Sequence, residues 1–319
     1  MELSPDTVLR NRYHIIRLLG QGGMGAVYLA YDLALEHEVA VKINRDPNPQ
    51  ASTQFIAEAR LLATLRHPHL PRVIDYFLEG ASQWLVMDYI PGDDLKTLVE
   101  KFGSLPLDSV LAWMEQLGSA LAYLHRQVPP IVHRDIKPAN LKLTHENEVV
   151  LVDFGIAKKA DASQATAAGA VGYTPGYAPP EQYGSARTGP FSDQYSLAAT
   201  LYHLLTGQKP VDSIQRVLEQ DTLKPISALN PAIPAHVQAA IMRAMAVRPE
   251  DRFASVEAFV QALRSPSYQP TVVNSVPQNM MNQPTVATAT LPPSPVAPIE
   301  TTIPQAKPAP SVNFKLIAG

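Results

Sequence analysis

A chain of 319 residues is long enough for one large domain or two lobes with complete cores, and its 46% apolar content is typical of a globular protein. A net charge of −3 excludes the basic excess that nucleic-acid and anionic-membrane binders normally carry. The absence of cysteine excludes disulfides, thiolate zinc sites and cysteine nucleophiles, so any catalysis must use oxygen and nitrogen groups.

The beginning of the chain predicts a cytoplasmic protein. The sequence MELSPDTVLRNRYHII lacks the basic start and apolar core of a signal peptide. Elsewhere no run reaches the roughly 18 apolar residues that a membrane span needs. We therefore expect no span within this chain.

Residues of about 10–90 are predicted to be strand-rich with one helix, and residues of about 91–264 mainly helical. Within the first part, LLGQGGMGAVYLA spaces three glycines as G-x-G-x-x-G-x-V: Gly20, Gly22 and Gly25. The same letters occur in dinucleotide-binding folds and in ordinary glycine turns. A dinucleotide site needs a helix directly after the glycines, whereas AVYLAYD is β-branched and aromatic, so the pattern predicts a hairpin that could fold over phosphates.

The next strand and helix each carry one charged residue at a position facing the interior. HEVAVKI alternates so that Lys42 shares a face with the small Ala40, which suits a strand over a pocket. In the helical sequence TQFIAEARLLATLRH, Glu58 lies on the same stripe as Phe55 and Leu62. A carboxylate on a core-facing stripe needs a cation, and Lys42 is the predicted partner.

Two further helices are predicted in the second part. SDQYSLAATLYHLLTGQKP indicates a helix with Ser192 as its N-cap, Gly207 at its end and Pro210 beyond. HVQAAIMRAMAVRPEDRFAS ends in an Arg/Asp/Glu cluster, for which a solvated helix end is the simplest interpretation.

Composition changes near Ser265. Residues 265–319 contain 11 of the 30 prolines and 11 Ser or Thr, and their charged residues are Glu300, Lys307 and Lys315. Such a segment can bury little apolar surface, so we predict a disordered Pro/Ser/Thr-rich tail or linker.

The segment IVHRDIKPAN contains the most specific pattern in the chain. It matches H-R-D-x-K-P-x-N, in which six specified letters coincide by chance at roughly one in tens of millions per start position. Thirteen residues after Asn140 comes D-F-G, beginning at Asp153. With the glycine hairpin, Lys42 in VAVK and the later APPEQY, these motifs follow the order found in protein kinases, which the chain resembles over residues of about 10–264.

This resemblance implies an α+β, bilobal protein-kinase fold, closest to bacterial eukaryotic-like serine/threonine kinases. The strand-rich N-lobe would span about 10–90 and the mainly helical C-lobe about 91–264, followed by the disordered tail at 265–319. The implied reaction transfers the γ-phosphoryl group of Mg·ATP to a Ser or Thr hydroxyl of a protein.

The resemblance also implies roles for the charged motif residues. Asp135 would be the catalytic base, and Lys137 would neutralise the γ-phosphate, as in the serine/threonine branch of the family. Lys42, fixed by Glu58, would hold the α- and β-phosphates. Asn140 and Asp153 would bind Mg²⁺, for which Mn²⁺ could substitute.

ATP itself would be held by a larger set. The resemblance implies a nucleotide site formed by Gly20, Gly22, Gly25, Val27, Ala40, Lys42, Met87, Asp88, Tyr89, Ile90 and Asp94. Within this set, Met87 would lie behind the adenine, Asp88 to Ile90 would form the hinge, and Asp94 would lie near the ribose.

The resemblance also implies structural roles, rather than catalytic ones, for several other residues. Glu181 and Arg252 resemble a long-range ion pair, and Asp193 an aspartate that braces the catalytic loop. His67 and His69 in RHPHL could suggest a metal site, but His-Pro is common in the family at the turn after this helix, which favours packing.

Two residues depart from the family pattern. Pro179 replaces the alanine of A-P-E. Lys142 stands where the family usually places an apolar residue under the adenine. We expect its methylene stem to substitute there, with the ammonium reaching solvent.

Two other functions are considered. A nucleotide-binding pseudokinase scaffold would recruit partners without chemistry, but Lys42, Glu58, Asp135, Asn140 and Asp153 are all retained. A small-molecule kinase of similar fold is disfavoured by GYTPGYAPPEQY, which resembles a segment for docking protein substrates.

Phosphorylation is predicted at two places. Arg134 needs an anionic partner to order the segment that follows Asp153, and Ser163 and Thr166 are the candidates there, while Thr174 is expected to contact the catalytic loop. In the tail, QPTV occurs twice, which places Thr271 and Thr285 in equivalent contexts. We expect both to be autophosphorylated and to offer a site for a phosphothreonine-reading forkhead-associated domain, although an unselected linker explains the repeat equally well.

Overall fold

The computed structural model describes residues 3–22, 25–44, 49–80, 82–153, 173–184, 187–219 and 222–265, and the side chains of residues 49–51, 54 and 58 are not described. Contacts divide the chain into units Met1–Pro270 and Thr271–Gly319, and every described residue belongs to the first. The predicted disordered tail, apart from Ser265, therefore lies outside the described residues.

The N-terminal part is a six-stranded antiparallel sheet with the order β1-β2-β3-β4-β6-β5 and one helix, as predicted. Its elements are β1 (Val8–Leu9), β2 (Tyr13–Gly22), β3 (Gly25–Asp32), β4 (His37–Asn44), α1 (Pro49–Thr64), β5 (Val73–Glu79) and β6 (Ser82–Asp88).

The two faces of this sheet have different surroundings. Alternation along β4 buries Val39, Val41 and Ile43 in an apolar cluster with Tyr13 and Trp84. Residues directly opposite one another in an antiparallel pair share a face, and Lys42 is opposite both Val27 on β3 and Leu85 on β6. Lys42 is therefore on the face opposite the Val39 cluster, where Leu85 packs with α1 and with helices of the second part.

The second part of the chain is mainly helical. Its elements are α2 (Leu95–Phe102), α3 (Leu107–His125), β7 (Leu141–Leu143), β8 (Val149–Leu151), α4 (Pro190–Thr206), α5 (Ser213–Leu218), α6 (Ile226–Leu229), α7 (Ala235–Ala244) and α8 (Val256–Arg264). Helix α4 is buried along almost its whole length and packs against α3, α7 and α8. In the described part of the chain no helix combines the length and the apolar character needed to cross a membrane.

The beginning of helix α4 corrects one prediction. Ser192 is not the N-cap, because the helix begins at Pro190 after Gly189, and Gly207 is the C-cap as predicted. Proline at the first helical position is a start signal, since its missing N–H has no partner there anyway. Ser192 lies in the first turn, where its hydroxyl accepts from the Gly189 N–H at 3.2 Å and donates to Glu181 at 2.9 Å.

A buried ion pair fixes the turn between β3 and β4. The carboxylate of Asp32, fully buried, accepts from Arg12 Nε at 2.9 Å and Nη2 at 2.7 Å, and also from the backbone N–H of Ala34 at 2.9 Å. The bidentate hydrogen bond from Arg12 is the main cause that lowers the pKa of Asp32 below its ordinary value.

We expect Asp32→Asn to lower the free energy of unfolding by about 1.5–3 kcal/mol at pH 7, because the Arg12 guanidinium, one third exposed, would lose its charged bidentate acceptor and keep only the 3.9 Å contact with Asp75. A depressed carboxyl pKa stabilises the fold above the unfolded value and loses that contribution as pH falls. Denaturant titrations should therefore show a constant wild-type advantage from pH 7 to about pH 5, which shrinks as the pH falls through about 4 and below. The exposed Asp108→Asn is the matched control, and an Asp32→Asn curve overlapping this control would contradict the prediction.

Candidate active site

Helix α4 holds the loop 131–137, which follows α3, through the side chain of Asp193. The Asp193 carboxylate, fully buried, accepts from the backbone N–H groups of His133 and Arg134, both at 2.8 Å, and contacts His125 Nε2 at 2.9 Å. Arg134 has φ of 68°, a left-handed conformation that a non-glycine residue keeps only when its surroundings enforce it. The prediction that Asp193 braces this loop is confirmed, and the contribution of His125 was not predicted.

A buried carboxylate lies at the centre of the predicted catalytic residues. Asp135 is 7% exposed. Its Oδ2 accepts from Lys137 Nζ at 2.8 Å and from Asn140 Nδ2 at 3.0 Å, and its Oδ1 accepts from Thr174 Oγ1 at 3.0 Å. Lys137 Nζ also donates to Thr174 at 3.0 Å. Three donors thus orient the carboxylate, and the predicted contact of Thr174 with this loop is confirmed.

Lys42 and Asp153 form a second charged group. Lys42 Nζ donates to Asp153 Oδ1 at 2.7 Å, joining strand β4 to the residue two positions after β8. Desolvation raises the pKa of Asp153, whereas the charge and the hydrogen bond of the Lys42 ammonium lower it, and the net pKa lies below the ordinary value. The predicted Lys42–Glu58 pair falls outside the described side chains.

The predicted metal ligands have suitable chemistry. Among the described residues no three His, Cys, Asp or Glu side chains form a cluster that could hold a metal. Asn140 uses its amide nitrogen to donate to the Asp135 backbone oxygen at 2.7 Å and to its carboxylate, so the amide oxygen remains for a metal. Asp153 supplies a carboxylate, and such hard oxygens fit Mg²⁺ when substrate phosphates and waters complete the coordination.

The glycine motif lies in the β2–β3 hairpin, as predicted. Gly22 and Gly25 are cross-strand partners, and Gly20 is opposite Val27. A Cβ on Gly25 would lie 1.9 Å from the Ile43 carbonyl oxygen, so this close approach of β3 to β4 requires glycine. The hairpin geometry favours a phosphate-covering loop over a dinucleotide fold.

The sheet brings the predicted nucleotide contacts onto one face. Ala40 is opposite Met87 and Lys42 is opposite Val27, so these four residues occupy neighbouring positions on the face that also carries Leu85. The predicted hinge residues 88–90 begin at the end of β6. The Asp88 carboxylate accepts from Arg72 N at 2.9 Å and Nε at 3.0 Å, and the Asp88 N–H donates to the Arg72 carbonyl oxygen at 2.9 Å, so its own carbonyl oxygen is the group left for a nucleotide.

Asp94 and Lys142 lie side by side at the far end of the hinge. Asp94 is the N-cap of α2. Lys142 Nζ donates to the Gly92 carbonyl oxygen at 3.2 Å and lies 3.8 Å from Asp94 Oδ2, with 30% of its side chain exposed. The side chain thus keeps part of its surface exposed, and its contacts with the loop carbonyl and the Asp94 carboxylate were not predicted.

The predicted long-range ion pair is present. Arg252 Nη1 and Nη2 donate to the two carboxylate oxygens of Glu181 at 2.6 and 3.0 Å. The Arg/Asp/Glu cluster after α7 is therefore not merely a solvated helix end. Next to Glu181, Gln182 donates to the Arg134 carbonyl oxygen at 2.9 Å and links this segment to the catalytic loop. No pattern in the sequence marked Gln182.

The RHPHL histidines pack rather than form a metal cluster within the described residues. His67 Nε2 is 3.2 Å from Ser119 Oγ, and its Nδ1 accepts from the His69 N–H at 3.3 Å. The two rings are 5.6 Å apart. Burial is the main cause that lowers the pKa of His67, which suits a neutral packed imidazole.

Comparisons with known proteins point to one family. A sequence model described as the protein kinase domain matches residues 13–264. The serine/threonine-protein kinase PknA of Mycobacterium tuberculosis is 36% identical over 265 residues, which cover 80% of this chain and 61% of PknA. PrkC of Bacillus subtilis is 35% identical over 259 residues, which cover 78% of this chain and 39% of PrkC. The chain thus spans less than two thirds of these curated relatives.

A solved structure agrees with these matches. The crystal structure of the PknI kinase domain of Mycobacterium tuberculosis aligns with a TM-score of 0.64 and 31% identity, covering 82% of this chain and 99% of that domain.

Proposed function

This chain belongs to the protein kinase domain family, and on that premise we propose that it transfers the γ-phosphoryl group of Mg·ATP to Ser or Thr hydroxyls of proteins, including its own. The observation that carries the proposal is the buried Asp135 carboxylate, oriented by Lys137, Asn140 and Thr174 and flanked by the Lys42–Asp153 pair. A cytosolic location, where ATP is available, is part of the proposal.

Asp135, Lys137 and Lys42 would each have a separate role in this reaction. The substrate hydroxyl would donate a hydrogen bond to Asp135, its oxygen would bond to the γ-phosphorus, the bond to the β-phosphate oxygen would break, and the proton would pass to Asp135. Lys137, already bound to that carboxylate, is placed to neutralise charge on the transferred group. Lys42 would hold the α- and β-phosphates.

Mg²⁺ would be held by Asn140 and Asp153, and it supplies positive charge against the phosphate oxygens when bound. Mn²⁺ could substitute, since both ions accept hard oxygen ligands. Preference for Ser and Thr over Tyr is supported by Lys137 and by the names of the relatives.

Regulation by phosphorylation of the segment after Asp153 is supported by Arg134. Its Nε is buried and has no hydrogen-bond partner among the described residues. Burial lowers the pKa of Arg134, although Asp193 acts in the opposite direction. A phosphate on Ser163 or Thr166, both outside the described residues, would supply the missing anion.

We expect phosphosite mapping by mass spectrometry after incubation with Mg·ATP to find phosphate on Ser163 or Thr166 and on Thr271 and Thr285. Wild type and the exposed control Asp108→Asn should be modified alike, and Asp135→Asn or addition of EDTA should leave these sites bare. Nucleotide binding without any transfer by wild type would favour the pseudokinase scaffold instead.

The tail sites have a separate outcome. Thr271 and Thr285 would each gain close to two negative charges on a segment with three charged residues, which a forkhead-associated domain with arginines could recognise. An active kinase whose residues 265–319 stay unmodified would leave the linker interpretation as the better one.

A further inference from the structure

Lys142 places a positive charge at a position where the family usually has an apolar side chain under the adenine. The residue lies on β7, and its ammonium turns toward the loop after the hinge, contacting the Gly92 carbonyl oxygen at 3.2 Å. The same ammonium lies 3.8 Å from Asp94 Oδ2. An acceptor and a donor of opposite charge thus stand beside each other at the predicted ribose position.

The backbone fixes this pair in place. Asp94 and Lys142 form an antiparallel β-bridge, and the Leu143 N–H donates to the Asp93 carbonyl oxygen at 3.0 Å. Gly92 has φ of 111°, and a Cβ there would lie 2.0 Å from the Leu143 carbonyl oxygen. The loop and β7 are therefore in direct contact, so the distance between the two charged side chains depends little on flexible backbone.

The Asp94 carboxylate is oriented by the helix that it caps. Its Oδ1 accepts from Thr97 N at 2.9 Å and from Thr97 Oγ1 at 3.1 Å. These contacts leave Oδ2 directed to the side where Lys142 lies. Both side chains keep about a quarter to a third of their surface exposed, at 26% for Asp94 and 30% for Lys142. A ligand can therefore reach both groups.

On the basis of the proposed function, we infer that Lys142 is a specificity-determining residue that reads a ribose hydroxyl together with Asp94. A hydroxyl can donate to one group and accept from another, whereas a carboxylate only accepts and an ammonium only donates. A gap of 3.8 Å allows one hydroxyl oxygen to contact both atoms at ordinary hydrogen-bond distances.

This pair makes the loss of the hydroxyl costly. A deoxynucleotide would leave both charged groups facing the sugar without their partner, and hydrogen bonds to charged groups are the stronger class. In a site that had Asp94 without Lys142, a deoxynucleotide would lose one hydrogen bond to a charged group instead of two. We therefore expect wild type to bind ATP roughly 10- to 100-fold more tightly than 2′-deoxyATP or 3′-deoxyATP, whichever lacks the bridging hydroxyl.

The test is isothermal titration calorimetry with ATP, 2′-deoxyATP and 3′-deoxyATP on wild type, Lys142→Met and Lys96→Met. Lys142→Met should lower the ratio of the ATP and deoxyATP affinities by about 10-fold. Lys96, exposed on α2 and paired with Glu100, is the matched control, and its variant should keep the wild-type ratio. An unchanged ratio in Lys142→Met, or no discrimination by wild type, overturns the inference.

A second variant and a second readout keep the outcomes distinct. If Lys142→Met fails to fold by thermal melting, Lys142→Gln retains a donor, and it should lose only part of the discrimination. Parallel kcat/KM measurements separate this inference from the proposed function: selective binding without transfer would overturn the function alone, and transfer without selectivity would overturn the inference alone. Absence of any nucleotide binding would overturn both.

Discussion

Replacing Asp135 with asparagine is expected to lower kcat by about 10²- to 10⁴-fold while nucleotide binding stays nearly unchanged, because the carboxylate is the proposed proton acceptor. An amide of the same size keeps the shape of the site and removes the basic oxygen. The loss should therefore appear in the chemical step, and the affinity for Mg·ATP should change little.

The surrounding contacts explain why this variant should still fold. Asp135 Oδ2 faces two donors, Lys137 and Asn140, and Oδ1 faces the hydroxyl of Thr174, which can accept as well as donate. An asparagine amide can place its oxygen toward the two donors and its nitrogen toward Thr174. The network then loses the negative charge, but no two hydrogen-bond donors are left facing each other without an acceptor.

Steady-state kinetics with a peptide substrate, with calorimetry of ATP binding, would measure both parts of this expectation. Asp108→Asn makes the same chemical change at an exposed site at the beginning of α3 and should match wild type. Thr174→Ala should also be nearly inactive, and Thr174→Ser should recover much of the rate by restoring the hydroxyl. If Asp135→Asn turned over at the wild-type rate, Asp135 would not be the base.

The residues that sequence analysis identified best are those whose chemistry is encoded over a short span. Asp135, Lys137 and Asn140 lie within six positions, and their mutual contacts follow from a loop and one 3₁₀ turn, Pro138–Asn140. The glycine hairpin was predicted in the same way, because β-branched and aromatic residues directly after the glycines exclude a helix. In both cases the necessary information is local.

Partners of charged residues were predicted less well, because they depend on tertiary distances. Periodicity placed Glu58 on the inner stripe of α1, and its pairing with Lys42 stays a prediction, whereas the contact of Lys42 with Asp153, 111 positions away, was not predicted. The contact of the Lys142 ammonium with the Gly92 carbonyl oxygen was not predicted, since the close contact of loop and strand is not encoded in spacing. Ser192 has a hydroxyl typical of an N-cap, yet the helix begins two residues earlier and the Glu181 carboxylate accepts the hydrogen bond from that hydroxyl.

Arg252→Met is expected to lower the free energy of unfolding by about 3–5 kcal/mol, because it would leave the carboxylate of Glu181 buried without its cation. The two side chains are 0% and 6% exposed. Arg252 also donates to the backbone oxygens of Phe191 at 3.0 Å and Ala246 at 2.9 Å, so the guanidinium joins α4 to the end of α7 as well as to the segment that contains Glu181.

Thermal melting should show a decrease in Tm of roughly 6–20 °C for Arg252→Met, whereas Arg248→Met, an exposed change four residues earlier, should melt like wild type. Arg252→Lys should recover only part of the difference, because an ammonium cannot reproduce the two parallel hydrogen bonds to Glu181. The double variant Glu181→Gln/Arg252→Met should lose less than the sum of the single changes, since removing the carboxylate charge removes the main penalty of losing the arginine. Strict additivity would show that the two residues stabilise the fold independently. Because Gln182, next to Glu181, donates to the Arg134 carbonyl oxygen, kcat should fall in Arg252→Met even at temperatures where the variant is folded.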